Sequence, residues 1–256
     1  MRIAVYSAEA VAEESHWWFV GRRRLFARLI KKMGMAQDAA ILDVGSSTGT
    51  NLRMLRSEAF TNFQGVDLSP EAKRFCESKG LGTVRLGSIL DLPYSDNSFD
   101  LVLATDVVEH VEEDLLALSE IQRVLRPGGF ALITVPAFPS LWGPQDVVGE
   151  HKRRYRMRPF SEKIERSELE IVTRFHFNYL LFLPIFVARK MMQLFAVPIR
   201  SELDLNFGLM NRVLRAFFRF DAWSAAIIKP PFGVSILAVC QKPAETIERR
   251  QSAKAA

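Results

Sequence analysis

The chain has 256 residues, of which 48% are hydrophobic and 25% are charged, and its net charge is +5. This length and composition predict one domain with a large apolar core, or one domain carrying a sizeable insertion. The sequence holds only two cysteines, no C-x-x-C pair and no histidine–cysteine cluster, which argues against a disulfide scaffold and a zinc site. The first residues lack the apolar core of a signal peptide, and the longest apolar run, residues 179–188, is too short to span a bilayer. We therefore expect a cytoplasmic protein.

The first third of the chain alternates between helix and strand patterns. Apolar residues recur among arginines over residues 8–33, which predicts a helix. Two short apolar runs ending at Asp43 and Asp67 predict strands, with a helix between them over about residues 49–57. Ser69 followed by proline and glutamate predicts the start of the next helix.

The alternation continues and then changes character. Further segments are predicted, in chain order, as strand 83–86, loop 91–98, strand 99–104, helix 112–125 stopped by Pro127-Gly128-Gly129, strand 130–135, strand 169–177 and strand 234–241. Strands that alternate with helices indicate a mostly parallel sheet covered on both faces. Residues 178–224 are instead rich in Phe, Leu, Met and Arg, and we interpret them as an insertion.

A glycine-spaced turn joins the first strand to its helix and predicts a crevice for a nucleotide-like ligand. Gly45 and Gly49 allow a sharp turn and a close approach of the backbone to a ligand. Asp67 ends the second strand, where its carboxylate can accept hydrogen bonds from a ribose diol. The G-x-G-x-x-G spacing of a dinucleotide site is absent, which disfavours a nicotinamide-dependent oxidoreductase.

Four segments together resemble one family in order and spacing over residues 39–136. They are ILDVGSSTG at 41–49, LDLPYSDNSFD at 90–100, TDVVEHV at 105–111 and LRPGG at 125–129. They are similar to the motifs of class I S-adenosylmethionine-dependent methyltransferases. Residues 14–23 and 149–155 also resemble methyltransferase type 11-like proteins of bacterial sugar, lipid-glycan and natural-product pathways.

The resemblance implies a Rossmann-like α/β fold with S-adenosylmethionine as cofactor. Its mostly parallel seven-stranded sheet would carry helices on both faces and an antiparallel last strand. The expected organisation is a helical cap at 1–38, a cofactor-binding core at 39–177, the insertion at 178–224, a final strand at 225–243 and a mobile tail at 244–256.

The resemblance also assigns cofactor-binding positions. They are Asp43, Gly45, Ser47, Gly49, Asp67, Leu68, Ser88, Ile89 and Asp106. Asp43 would fix the turn near the cofactor's amino group, Leu68 would flank adenine, and Asp106 would face the methionine end. Two positions depart from the family: Ser47 stands where glycine is common, and Ser88 stands where an aspartate often contacts adenine.

The acceptor side is less defined by the sequence. His151 is the candidate base for an oxygen or nitrogen acceptor, because imidazole titrates near neutrality, and it could equally be a surface residue of a basic loop. His110, Arg154 and Tyr155 are candidate substrate contacts, with loop-shaping and salt-bridged anchoring as the alternatives. No resident metal is expected.

The insertion combines apolar residues, among them Phe217 and Phe218, with arginines at helical spacing. Such a segment could be a lid, a dimer contact or a helix lying in a membrane interface, and we expect reversible binding to anionic membranes at the inner face. The sequence thus predicts O- or C-methylation of a small or lipid-linked acceptor and no nucleic acid partner. It does not indicate an oligomeric state. The alternative is a non-catalytic cofactor-binding or interaction protein that keeps the fold.

Overall fold

The strands of the computed structural model, which describes residues 3–195 and 208–244, form one sheet of seven strands. They are β1 Ile41–Val44, β2 Phe63–Asp67, β3 Val84–Leu86, β4 Phe99–Thr105, β5 Leu125–Pro136, β6 Glu170–Phe177 and β7 Ser235–Gln241. The order is β3-β2-β1-β4-β5-β7-β6. Neighbours from β3 to β5 are parallel, and β7 runs antiparallel to both β5 and β6. This topology confirms the predicted fold class, including the antiparallel last strand.

Helices cover both faces of the sheet. They are α1 Ile3–Ser15, α2 Trp17–Lys32, α3 Thr50–Ser57, α4 Pro70–Ser78, α5 Asp114–Val124, α6 Pro144–Val148, α7 Met157–Arg166, α8 Phe182–Leu194 and α9 Gly208–Ile228. Short 3₁₀ turns lie at Val108–His110 and Pro139–Leu141. The predicted start of α4 is confirmed, because Ser69 caps the helix by accepting the Glu71 amide and proline occupies the first turn.

Two predicted boundaries are wrong for local reasons. The helix expected over residues 8–33 is two helices, because His16 adopts an extended backbone and its Nδ1 accepts the Trp18 amide to cap α2. The Pro127-Gly128-Gly129 segment does not separate helix from strand, because it lies inside β5. A register shift against β4 between Phe99 and Leu101 accommodates it.

The core lies on both faces of the central strands, whose side chains point alternately to opposite sides. Leu42, Val102 and Ile133 belong to the cluster that includes α5 and α7. Their sequence neighbours on the same strands belong to the cluster formed with α2 and α9. Because both faces of these strands are buried, their sequences are continuous apolar runs. The polar side chains follow at the carboxyl ends of the strands, along one edge of the sheet.

The first and last parts of the chain pack together through α2 and α9. Phe218 of α9 is 1% exposed, and its ring centroid lies 5.5 Å from that of Trp17 and 5.4 Å from that of Trp18. The ring sits against Gly21, where a Cβ would lie 2.1 Å from Phe218 Cδ1. The helical cap and the inserted α9 are therefore one packed unit.

Asn211 joins the same two parts by hydrogen bonds. Its Oδ1 accepts the Trp17 amide at 2.7 Å and its Nδ2 donates to the Ser15 carbonyl at 2.6 Å, across the break between α1 and α2. Since Phe218 is buried, the expectation that it faces a lipid surface is wrong. Phe217 beside it is 53% exposed.

Parts of the predicted organisation fall outside the described residues. These are residues 196–207 of the insertion and residues 245–256 of the expected tail. Helix α9 continues to Ile228, beyond residue 224 where the insertion was predicted to end. Among the described residues, no helix combines the length and hydropathy needed to span a membrane.

Candidate functional site

The turn after β1 has the backbone geometry that a closely bound ligand requires. Gly45 and Gly49 have φ values of +73° and +88°, in the region that favours glycine. A Cβ on Gly45 would lie 2.8 Å from Val107 Cγ2, and one on Gly49 would lie 2.5 Å from Leu81 Cδ1. Ser47 also has a positive φ, +46°, which explains why glycine suits this position in the family that the motif resembles.

Asp67 lies beside this turn, at the carboxyl end of β2. Its Oδ2 accepts the Ser47 amide and its Oδ1 accepts the Ser69 amide, each at 2.9 Å. Burial raises the pKa of Asp67 above its usual range, while these two amides partly oppose the shift. Each carboxylate oxygen keeps a lone pair, so the oriented group can accept both hydroxyls of a ribose.

Asp43 lies under the turn and is fully buried. Its Oδ1 accepts Asn51 Nδ2 at 2.8 Å, and its Oδ2 has no hydrogen-bond partner among the described residues. Burial raises the pKa of Asp43 to about 7, and the charge of nearby Asp67 adds to the shift. A buried acceptor without a partner suits a cationic ligand group such as a cofactor's ammonium.

The predicted adenine-side residues follow β2 and β3. Leu68 is 76% exposed next to Asp67, and Ile89 is buried. Ser88 Oγ accepts the Leu90 amide at 3.1 Å. The Ser88 hydroxyl thus already shapes its own loop, and its hydrogen can still be donated to a ligand. Adenine contacts by these three residues stay predictions.

Asp106 lies after β4 and is paired with a residue that the sequence did not single out. Arg22 of α2 reaches it, with Nη1 2.7 Å from Asp106 Oδ2, and Thr134 donates to Asp106 Oδ1 at 3.0 Å. The Arg22 guanidinium also lies 5.3 Å from the ring centroids of Trp18 and Phe26. The helical pattern shows several arginines on α2, and only the packing shows which one reaches the strand ends.

Glu13 of α1 is a second residue that sequence reasoning missed. Its side chain is fully buried, Oε2 accepts the hydroxyls of Thr48 and Thr50, and Lys79 Nζ lies 2.8 Å from Oε1. The N-terminal cap therefore binds directly to the glycine turn, and it closes over the side of the sheet where the cofactor residues lie.

His151, the candidate base, and His110, a candidate substrate contact, come together in the fold, although 40 residues separate them. Their ring centroids are 4.8 Å apart. His151 Nδ1 lies 2.8 Å from Asp146 Oδ1, and its Nε2 lies 4.0 Å from Glu109 Oε1. Asp146 on α6 and Glu109 on the 3₁₀ turn after β4 were not predicted as site residues, because neither belongs to a periodic sequence pattern.

The electrostatics of this cluster depend on burial. Glu109 is fully buried and neither carboxylate oxygen has a hydrogen-bond partner among the described residues, so desolvation raises its pKa well above the usual range, and nearby Asp106 adds to the shift. Burial lowers the pKa of His110 to about 4, with the charge of His151 contributing. Burial alone would raise the pKa of Asp146, but hydrogen bonds from His151 and Arg154 outweigh it and lower that pKa.

Arg154 and Tyr155 lie inside the protein. Arg154 Nε donates to Asp146 Oδ1 at 2.8 Å, and its Nη1 donates to the Ala137 carbonyl at 3.0 Å. The Tyr155 hydroxyl lies 3.1 Å from Asp114 Oδ2. These contacts correspond to the loop-anchor alternative, and a contact of either residue with the acceptor stays a prediction.

The insertion reaches the segment after β5 through α8. Arg189 is 5% exposed, its Nη1 donates to the Leu141 carbonyl at 2.6 Å, and the same atom lies 3.8 Å from Asp146 Oδ2. Asp146 also lies 2.8 Å from His151, so Arg189 of α8 and His151 both contact the same buried carboxylate.

Comparison with known proteins agrees with this geometry. Residues 42–133 match the family model described as a methyltransferase domain. Malonyl-acyl carrier protein O-methyltransferase of Herminiimonas arsenicoxydans is 32% identical over 143 residues, which cover 56% of this chain and 54% of the relative. Demethylmenaquinone methyltransferase of Staphylococcus aureus is 32% identical over 120 residues, covering 44% of this chain and 50% of the relative. The chain thus spans about half the length of these curated relatives.

A solved structure supports the fold over a longer stretch. The cyclase SpnF superposes with a TM-score of 0.57 and 20% identity, covering 87% of this chain and 81% of that chain. The strand order and the glycine turn agree with the resemblance to class I methyltransferases, and residues 42–133 match a methyltransferase domain. The cofactor of this domain is S-adenosylmethionine, and the orphaned Asp43 oxygen and the cradle at Gly45 and Gly49 fit it.

Proposed function

We propose that the protein transfers the methyl group of S-adenosylmethionine to an oxygen or carbon atom of a small or lipid-linked acceptor, and that it works at the surface of an anionic membrane. The main observation in support of this function is the Asp67 carboxylate, which two backbone amides orient beside the glycine turn. The curated relatives are named for O-methylation of malonyl-acyl carrier protein and for methylation of demethylmenaquinone. These names support acceptors on a carrier or with a quinone part.

Methyl transfer from S-adenosylmethionine requires little covalent chemistry from the protein itself. The sulfonium already activates the methyl group, so the chain mainly aligns the acceptor atom with the methyl carbon and the sulfur. Arg22 with Asp106 and the cap residue Glu13 close the cofactor side, which excludes water from the reacting groups. His151, oriented by Asp146, is the residue that activates the acceptor.

The cofactor assignment is tested by calorimetry with S-adenosylmethionine and its demethylated product. The Asp67→Ala variant should bind each ligand about 1–3 kcal/mol more weakly, because the ribose loses a charged acceptor. Asp96→Ala, an exposed aspartate paired with Arg123, is the matched control and should bind like the wild type. Equal affinities in all three proteins would refute the assignment.

The acceptor is identified by incubating lipid and metabolite extracts with the cofactor and searching for products heavier by one methyl group. His151→Ala should lower kcat for the product found by about 10²–10⁴-fold and leave cofactor affinity unchanged. Cofactor binding with no methylated product from any extract would favour the non-catalytic alternative.

The proposed membrane contact depends on an exposed apolar stripe along α9. Its members recur every three or four residues and are each at least 45% exposed: Leu209, Val213, Phe217, Phe220, Trp223 and Ile227. The opposite side of the helix is buried against α2. A stripe of this kind beside basic residues is typical of helices that lie in a membrane interface.

Four arginines lie next to the apolar stripe. Arg24 and Arg28 of α2 and Arg215 and Arg219 of α9 line a groove between the two helices. Each basic residue near an anionic surface adds about 1 kcal/mol of attraction. The charge of this groove therefore complements anionic lipid headgroups at the place where the apolar stripe would enter the membrane.

Liposome flotation tests this contact. The wild type should float with anionic vesicles at low salt, float less at high salt, and stay behind with neutral vesicles. Phe217→Asp with Phe220→Asp should abolish flotation without lowering the melting temperature, because both side chains are exposed. Leu116→Asp changes an equally exposed leucine on α5 and should float normally. A wild type that never floats would exclude the membrane proposal.

A further inference from the structure

Three side chains able to bind a metal meet where the turn after β4 approaches the loop after α6. Glu109 and His110 lie on the 3₁₀ turn after β4, and His151 lies in the loop after α6. One ligand atom from each lies within 4.8 Å of the other two, and His151 Nε2 is 4.0 Å from Glu109 Oε1. The sequence shows no such cluster, because the two segments are brought together only by the fold.

The carboxylate of Glu109 requires a partner that the described residues do not provide. It is fully buried, and neither of its oxygens has a hydrogen bond within residues 3–195 and 208–244. The two arginines whose charges act on it are engaged by other acids: Arg22 pairs with Asp106, and Arg154 pairs with Asp146. Buried carboxylates are normally paired, hydrogen-bonded or bound to a metal.

An outer contact orients the His151 imidazole in the manner of a metal ligand. Asp146 holds His151 at Nδ1, which directs Nε2 toward Glu109. A carboxylate or carbonyl bound to the far nitrogen of a ligating histidine fixes the ring and raises its basicity.

We propose that Glu109, His110 and His151 bind a divalent transition-metal ion, and that zinc is the ion this ligand set fits best. Calcium and magnesium prefer shells of oxygen atoms, whereas two imidazole nitrogens and one carboxylate match zinc sites that keep one position open. Zinc bonds of roughly 2.0–2.2 Å place tetrahedral ligand atoms about 3.4 Å apart. The cluster would contract by about 1 Å on binding.

The bound ion would activate a hydroxyl group of the acceptor. This role rests on the proposed methyl transfer. An acceptor hydroxyl that takes the open position loses its proton to solvent, because the ion lowers its pKa. The resulting oxygen attacks the methyl carbon, the carbon–sulfur bond breaks, and the neutral thioether leaves. His151 then acts as a metal ligand, and the base role predicted from the sequence becomes the competing explanation of its effect on kcat.

Metal binding is measured on the full chain without cofactor or acceptor, so the result does not depend on methyl transfer. Protein treated with a chelator is titrated with Zn²⁺ by calorimetry and with Co²⁺ by visible absorption, which reports tetrahedral nitrogen and oxygen ligation. The wild type should bind one equivalent per chain. Glu109→Gln and His110→Gln should each weaken binding by about tenfold or more.

Glu112→Gln, which changes an exposed glutamate in the next loop, is the control and should bind zinc like the wild type. Melting curves show which variants are folded, and His110→Gln decides the question if Glu109→Gln does not fold. Calorimetry with S-adenosylmethionine on the same samples reports separately on the proposed function. No zinc binding by the wild type, or equal binding by the wild type and the folded ligand variants, would overturn the proposed site.

Discussion

Truncating Phe218 should destabilise the protein far more than truncating Phe217, although the two residues are adjacent. Phe218 is 1% exposed and its ring lies against Trp17, Trp18 and Phe177, with centroids 5.4–6.2 Å apart. Removing a fully buried phenylalanine costs about 3–5 kcal/mol, and the aromatic contacts favour the upper half of that range. Phe217 is 53% exposed, so Phe217→Ala should change stability by about 0.5 kcal/mol or less.

Thermal and urea unfolding of both alanine variants measure the difference. For a chain of this size, a loss of 3–5 kcal/mol corresponds to a melting temperature lower by about 6–20 °C. The near-ultraviolet circular dichroism of Phe218→Ala should also change, because two tryptophans lose their neighbour. Equal shifts in the two variants would show that α9 is not docked on α2, and the account of the helical cap would then be wrong.

Two further predictions concern the cofactor turn. Because burial raises the pKa of Asp43 to about 7, against about 3.9 in an unfolded chain, its ionisation destabilises the folded protein as pH rises from about 4 to about 7. Asp43→Asn should therefore gain stability relative to the wild type at pH 8 and not at pH 4, and a pH-independent difference between their melting temperatures would contradict this. Gly49→Ala should cost about 1–3 kcal/mol in urea unfolding, because it adds both a strained backbone and a contact with Leu81. Gly34→Ala adds only a strained backbone in open space and should cost less, so equal losses would refute the packing argument.

The sheet and the cofactor turn could be predicted because their signals are local. Strands β1 and β2 are short apolar runs ending in an acid, and Gly45 and Gly49 stand where the backbone has positive φ. Periodicity and turn residues report such features directly. The antiparallel β7 followed from the resemblance to a family.

The acceptor side could not be predicted to the same extent, because its residues are defined by long-range contacts. Arg22 is one of three consecutive arginines, and nothing local distinguishes it, Glu109 or Asp146 from solvent-exposed charged residues. Their roles depend on burial and on partners distant in sequence: Asp106 is 84 residues from Arg22, His151 is 42 residues from Glu109, and Arg189 is 43 residues from Asp146. Phe218 was misassigned for the same reason, since helical spacing shows an apolar face but not which neighbour covers it.

The docking of α9 on α2 has a consequence for synthesis of the chain. Helix α2 is made first, but Asn211 and Phe218, which cover its tryptophans, follow it by 194 residues or more. At roughly 5–20 residues per second, a ribosome takes about 10–40 s to reach them. During that time the emerging chain presents Trp17 and Trp18 without their native cover. The yield of folded protein should therefore depend on how quickly the C-terminal part follows.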